Sequence, residues 1–305
     1  MILITGGTGF VGSHLVPKLF ESGYEVRCLV RNWVKAETLK ASSVELVLGD
    51  VTNRESLEQA MAGVETVIHL VAVIRESRSV TFNGINVGGT NNVVQAALSS
   101  GVKRLIHIGA LGANSNPRYR YIYSKWQGEE AVRSSKLDFT ILEPSVMFGT
   151  GSGLTTRLIG SIKMFPFLAP IPGSGKTRFQ PIWVEDTVSC VLQALKGEKS
   201  GQTCELGGPE HLTYEQILDA VIDTLGAKCI KVHLPLPLMR LAVMVMEKIL
   251  SSPSVTSGEL KQLEVDNVTD LNAVERQFGF KPLALSQGLG YLKVSSIKKH
   301  RSSMP

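Results

Sequence analysis

Residues 4–14, ITGGTGFVGSH, set four glycines between the apolar run ILIT and a stretch, VGSHLVPKLFESG, that reads as a helix. Gly7, Gly9 and Gly12 satisfy G-x-G-x-x-G, and Gly6, Gly9 and Gly12 satisfy the related G-x-x-G-x-x-G. Glycine permits a turn tight enough to join strand to helix, with the two packed closely and the backbone left open. The unpaired N–H groups and positive end of the new helix then favour a pyrophosphate. A glycine motif alone says little. Between a strand and a helix it points to an α/β sheet with a dinucleotide at its first turn.

The rest of the first half keeps that rhythm. The apolar runs EVRCLV, VELVLGD, TVIHLVA, RLIHIGA and DFTILEP alternate with helical stretches such as NRESLEQAMAG, GGTNNVVQAALSSG and SKWQGEEAVRSS. Strands alternating with helices of this length indicate βαβ units and a parallel sheet. Runs apolar without alternation suit strands covered on both faces. Six strands are expected by Pro144.

Beyond Pro144 the rhythm breaks into turns rich in glycine and proline, GTGSG and SIKMFPFLAPIPGSGK. Thr213-Tyr214-Glu215-Gln216 has the pattern of a capping box opening the helix TYEQILDAVIDTLG. The expected organisation is a dinucleotide-binding domain over 1–150 and a smaller lobe over 151–292. About 180–207 of that lobe returns to the first sheet, and 293–305 forms a basic tail.

The net charge of +5 is concentrated in that tail: Lys293, Lys298, Lys299 and Arg301 supply four positive charges and no acid accompanies them. The body of the chain is close to neutral. No basic stripe with interleaved aromatics points to nucleic acid. Cys28, Cys190, Cys204 and Cys229 are scattered without a CxxC, and the six histidines show no ligand spacing, so no metal is expected. The opening on a strand, MILIT, leaves no room for a signal peptide, and no apolar run approaches the ~18 residues of a membrane span. A cytoplasmic location follows as the expectation. The segment 235–250, PLPLMRLAVMVMEKIL, reads first as a core-facing helix. Its methionines and the basic tail leave open peripheral contact with a membrane or a membrane complex.

Two further places carry chemistry. After the second strand the chain reads CLVRN, with no acid to bond the ribose of NAD. Arg31, with Asn32 or Lys35 nearby, suits the 2′-phosphate of NADP(H), which favours NADP(H) over NAD(H). Asp50 and Val51 end the third strand, placed to meet the adenine. Tyr121 and Lys125 stand at i and i+4, on one helix face. A neighbouring ammonium is expected to lower the phenol pKa from about 10. Such a tyrosine passes a proton to or from a carbonyl or alcohol while a nicotinamide handles the hydride. His69 and His107, in apolar strands, are expected to be packed and hydrogen-bonded and not catalytic.

The stretches TGGTGFVG, LGDVTN, VIHLVA, INVGGTNNVV, YIYSKWQGEE, EPSVMFG, FQPIWVEDT and CELGGPEHLTYEQI together resemble the extended, atypical short-chain dehydrogenase/reductases of the NAD(P)-dependent epimerase/dehydratase group. Within that group the chain most resembles the branch containing the NADPH-binding accessory subunit of respiratory complex I. The resemblance implies a doubly wound parallel sheet (Rossmann) with a small discontinuous C-terminal substrate lobe. It implies cofactor across Thr8, Gly9, Phe10 and Val11, adenine at Asp50 and Val51, and ribose near Val71 and Ala72. Lys125 would hold the nicotinamide ribose, Pro144 would lie by the nicotinamide, and Asn86 would support the site.

Two positions depart from the family pattern. Active relatives carry Ser or Thr at the end of the fifth strand, where this chain has Gly109, Ala110 and Leu111; Asn114 and Ser115 are the nearest substitutes. Where relatives commonly have Arg before the proline of the sixth strand, this chain has Glu143. The leading expectation is an NADP(H)-dependent oxidoreductase acting on a carbonyl, alcohol, quinone-like or nucleotide-sugar substrate held between the lobes. The rivals are an NADPH-holding structural or assembly protein beside a membrane complex, with little turnover, and a nucleotide-sugar epimerase.

Overall fold

A computed structural model describes residues 1–42, 44–164, 167–249 and 255–293. Lys298, Lys299 and Arg301 of the basic tail lie outside the described residues. The chain divides into two compact units, the first comprising Met1–Pro144 and Glu185–Glu205, the second Ser145–Val184 and Leu206–Pro305.

In the first unit the order is β1 (Ile2–Thr5), α1 (Phe10–Glu21), β2 (Val26–Val30), β3 (Glu45–Leu48), α2 (Arg54–Ala60) and β4 (Thr66–His69). It continues with α3 (Thr90–Ser99), β5 (Arg104–Ile108), α4 (Arg120–Arg133), β6 (Asp138–Pro144), α5 (Val184–Ala194) and β7 (Gln202–Leu206). The seven strands lie in the order β7-β6-β5-β4-β1-β2-β3. Pairing is parallel from β6 through to β3, in registers such as Ile4 with Cys28 and Ile68. The chain builds outward from β1 to β3, then returns to the other side of β1 at β4. That reversal makes the doubly wound sheet and leaves a crevice at the carboxyl ends of β1 and β4, where such sheets bind ligands.

The unbroken apolar runs have their cause in burial on both faces. Leu3, Leu29, Val67, Leu105 and Ile141 form one core with Leu57 of α2, Val93 and Ala97 of α3 and Val132 of α4. The alternate residues Ile4, Cys28, Ile68 and Ile106 are buried as well, and by the period of two they point to the opposite face. His14 of α1 bonds Glu185 of α5 at 2.5 Å. Arg104, buried at the start of β5, donates to Ala194 O at 2.8 Å and pairs with Asp138, tying α5 and β6 to β5.

In the second unit, helices 153–164 and 214–225 enclose a core of Phe148, Leu158, Ile162, Ile171, Val221 and Leu289. The capping box forms as its sequence indicates: Thr213 Oγ1 accepts from Gln216 N at 3.1 Å, and Gln216 Oε1 accepts from Thr213 N at 2.8 Å. Strands 168–172 and 230–234 pair in parallel. The following helix, Leu236–Ile249, corrects the core-facing expectation, since Val243 is its one buried residue. Leu238, Leu241, Val245 and Ile249 are exposed instead, at spacings of three and four that put them along one stripe. Apolar content shows that a helix has an oily face; it does not show that the domain covers it.

Candidate active site

The glycine turn is built as the motif requires. Gly6 has φ +85°, in the region glycine favours. A Cβ on Gly12 would collide with the carbonyl oxygens of Gly6 and Gly7. Gly9 N donates to Gly6 O at 2.9 Å, and the first N–H taken up within the helix is Ser13 N, bonded to Gly9 O at 2.9 Å. Gly9, the N-cap, has no side chain to cap α1, so Phe10, Val11 and Gly12 begin the helix with N–H groups of the kind that bind anions. Thr8 and Gly9 are exposed beside them. A backbone cradle that no side chain fills, at a positive helix end, fits a pyrophosphate.

Around it stand the other residues the sequence singles out. Gly6 packs on the chain leaving β4, its Cβ position 3.2 Å from Val71 N, and Ala72 is exposed next to it. Arg31, exposed at the end of β2, has Nη1 3.8 Å from Asp50 Oδ2. Asp50 Oδ1 accepts from Thr52 N and Oγ1, both at 2.8 Å. Val51 is buried in the core, so only its backbone is available to an adenine. Asn32 caps the short helix Trp33–Ala36 through Val34 N at 2.8 Å. One exposed cation, Arg31, beside the carboxylate of Asp50 fits the adenosine end of a dinucleotide.

The tyrosine and lysine sit on α4, and Lys125 is almost fully buried, its Nζ donating to Ile108 O at 2.7 Å at the end of β5. Asn86, in the π-helical turn Asn83–Gly89 before α3, grips Val73 through both backbone groups at 2.8 and 3.0 Å and donates to Ser124 Oγ at 2.9 Å. That clamp joins α4 to the segment after β4. The expected fall in the Tyr121 pKa does not occur: burial, with the charge of Glu129 adding to it, pushes the phenol up to about 12. Burial likewise brings Lys125 down to about 8, against the pull of Glu129 and Glu143. Loss of water outweighs the attraction that spacing alone suggests.

Below the pair lies a buried polar layer. His69 bonds Thr5 Oγ1 at 2.6 Å and Thr90 Oγ1 at 3.1 Å, and stacks on His107 with ring centroids 5.2 Å apart. Burial and the Lys125 charge hold His69 neutral, its pKa drawn down to about 3. His107 corrects half of its expectation: it is packed, but neither ring nitrogen has a hydrogen-bond partner.

Sequence reasoning does not single out Glu129 or Arg133, and the structure places both here. Glu129 Oε1 accepts from Ala110 N at 3.1 Å. Arg133 Nη2 reaches Glu129 Oε2 and Glu143 Oε1, each at 3.0 Å, so one guanidinium nitrogen holds the two carboxyl groups side by side. Burial and the neighbouring Glu129 push Glu143 up to about 8. A Cβ on Gly109 would run into Glu129 Oε1 and lie 3.0 Å from Glu143 Cγ. The signal was present in the spacing of four that continues from Tyr121 and Lys125 to Glu129 and Arg133. Asn114 is committed to its own turn, donating to Gly112 O at 2.7 Å and accepting from Asn116 N at 3.0 Å, while Ser115 is exposed. Leu111 N donates to Pro144 O at 3.0 Å, which brings the ends of β5 and β6 together.

Residues 2–207 match the model of the NAD dependent epimerase/dehydratase family. The chain belongs to this family. Its members are NAD(P)-dependent enzymes, and the phosphate cradle and the Tyr121/Lys125 helix lie within the matched span. The chain is 30% identical over 239 residues to a ceramide reductase of Caulobacter vibrioides, covering 78% of this chain and 74% of the relative. It is 28% identical over 292 residues to the mitochondrial NADH dehydrogenase [ubiquinone] 1 alpha subcomplex subunit 9 of Arabidopsis thaliana, covering 90% and 72%. Among solved structures it shares the fold of the UDP-glucose 4-epimerase of Thermotoga maritima, with TM-score 0.74 and 21% identity over 98% of this chain and 99% of that one.

Proposed function

We propose that this protein is an NADP(H)-dependent oxidoreductase that reduces a carbonyl or quinone-like group, or oxidises the corresponding alcohol, using Tyr121 and Lys125. The observation that carries the reading is Lys125, buried on the helix face it shares with Tyr121 and anchored to Ile108 O at the carboxyl edge of the sheet. Thr8, Gly9, Phe10, Val11 and Gly12 would hold the pyrophosphate, Arg31 a 2′-phosphate, Asp50 and the Val51 backbone the adenine. Val71 and Ala72 would flank the ribose, and Pro144 the nicotinamide. When bound, the nicotinamide supplies or accepts the hydride.

This chain's own residues would handle the proton. With its pKa raised to about 12, the Tyr121 phenol is protonated at neutral pH and suited to donate from Oη to a developing alkoxide. The phenol of the free protein is thus in the protonation state that carbonyl reduction needs. Lys125, charged below about 8, would hold ribose hydroxyls and moderate the phenol. Tyr121→Phe is expected to lower NADPH-dependent carbonyl reduction at least 100-fold with NADPH affinity unchanged within threefold. Turnover surviving in that variant would remove Tyr121 from the role.

A second reading is a dinucleotide-holding structural or assembly protein beside a membrane or membrane complex. Two observations favour it: no side-chain hydroxyl at 109–111, and the exposed apolar stripe on Leu236–Ile249. NADPH binding without turnover on any carbonyl or quinone, together with recovery of the protein in the membrane fraction, would move this reading ahead. Nucleotide-sugar epimerisation is the third reading, and preference for NAD would favour it.

A further inference from the structure

Glu129 and Glu143 are buried and face one another from α4 and β6. Two buried carboxyl groups held on one guanidinium nitrogen repel when both are ionised, and that repulsion favours a proton on one of them. Arg133 reaches both, at 3.0 Å each. On the same helix, one turn apart, Lys125 donates to Ile108 O and Glu129 accepts from Ala110 N. The helix thus grips the strand end on both sides of Gly109, where Glu129 leaves no room for a side chain.

We propose that Glu129 and Glu143 share a single proton, clamped by Arg133, and that this protonated pair is a positioning device for the strand end 108–110 and for Lys125. The proposal rests on the dinucleotide reading of the site and adds a residue set to it. Losing the shared proton leaves two buried carboxylates against one guanidinium, and their repulsion falls on the peptide groups that hold Lys125.

The groups facing the pair are Lys125, Glu130 and Arg133 on α4, Tyr121 one turn beyond Lys125, and Glu205 with the Cys204 thiol on β7; His107 on β5 faces Lys125. Glu143 has its folded pKa raised, to about 8, above the usual value of 4.5. Between those values the folded state holds a proton that the unfolded state has released. The stability contribution is therefore full below about 4.5, falls as pH rises to about 8, and is flat above it.

The test compares wild type with Glu143→Gln, whose amide donates to Glu129 permanently, across pH 5 to 9. Thermal midpoint and NADPH affinity by fluorescence are read on the same samples. The expected result is a wild-type midpoint that drops relative to Glu143→Gln as pH rises to 8, then runs parallel. NADPH affinities should agree within twofold at pH 6.5, with wild type about 3–4-fold weaker than the variant at pH 8.5. In Arg133→Met the midpoint, compared with the same variant carrying Glu143→Gln, should keep falling above pH 8, because Arg133 draws the Glu143 pKa down. Parallel midpoints throughout would overturn the shared proton. A titrating midpoint gap with an affinity ratio flat across pH would overturn the positioning role. No NADPH binding at any pH with a titrating gap would sink the dinucleotide reading, and the positioning role with it, while supporting the shared proton.

Discussion

Adding one hydroxymethyl group at Gly109 would supply the hydroxyl that the family resemblance leads one to expect at this strand end, yet the chain has no space for it. The Cβ alone would run into the Glu129 carboxylate, which is fixed by Ala110 N and Arg133. Overpacking of a rigid buried site costs about 1–3 kcal/mol. Gly109→Ser is expected to lose that much by chemical denaturation, and the loss should shrink in a Glu129→Ala background, where the obstacle is gone. A Gly109→Ser protein as stable as wild type would show that the Glu129 carboxylate is not held where the contacts place it. The same residue explains why the Tyr121 pKa could not be read from spacing. A lysine four residues away is visible in sequence. The burial that removes water from the phenol, and lets the Glu129 charge two turns along act on it, is not. Glu143 is visible as an acid in an apolar strand, but its partner comes from a helix of its own unit that pairing in space alone reveals.

At the scale of elements, what is local was legible. The glycine turn and the Thr213–Gln216 capping box depend on contacts within a few residues, and the six strands from β1 to β6 show in their unbroken apolar runs. The helix Leu236–Ile249 was misread because its pattern reports one apolar face and is silent on what meets that face. Leu241 is 57% exposed and Val243 2% exposed, two residues apart on opposite sides. Leu241→Glu is therefore expected to change stability by less than about 0.5 kcal/mol. Val243→Asp, which buries an unpaired charge, should cost about 3 kcal/mol or more. Urea unfolding of the two variants distinguishes them, and equal losses would contradict the exposure of the stripe.

For the molecule as a whole, the doubly wound sheet gathers residues from distant parts of the first unit to one edge. The turn after β1, Arg31 after β2, Asp50 after β3, Val71 after β4 and Lys125 against the end of β5 all lie at carboxyl ends of parallel strands. On the proposed reading that edge holds the dinucleotide, and Arg31, an exposed guanidinium 3.8 Å from Asp50, would decide between NADP(H) and NAD(H). A charge-assisted contact to a 2′-phosphate contributes about 1.5–3 kcal/mol. The most direct measurement is a fluorescence titration of NADPH and NADH into wild type and Arg31→Ala. The expected result is saturable NADPH binding, tighter than NADH, weakened about 10-fold or more by Arg31→Ala while NADH affinity stays within twofold. Saturable binding of neither nucleotide, or NADH bound more tightly with Arg31→Ala indifferent, would contradict it.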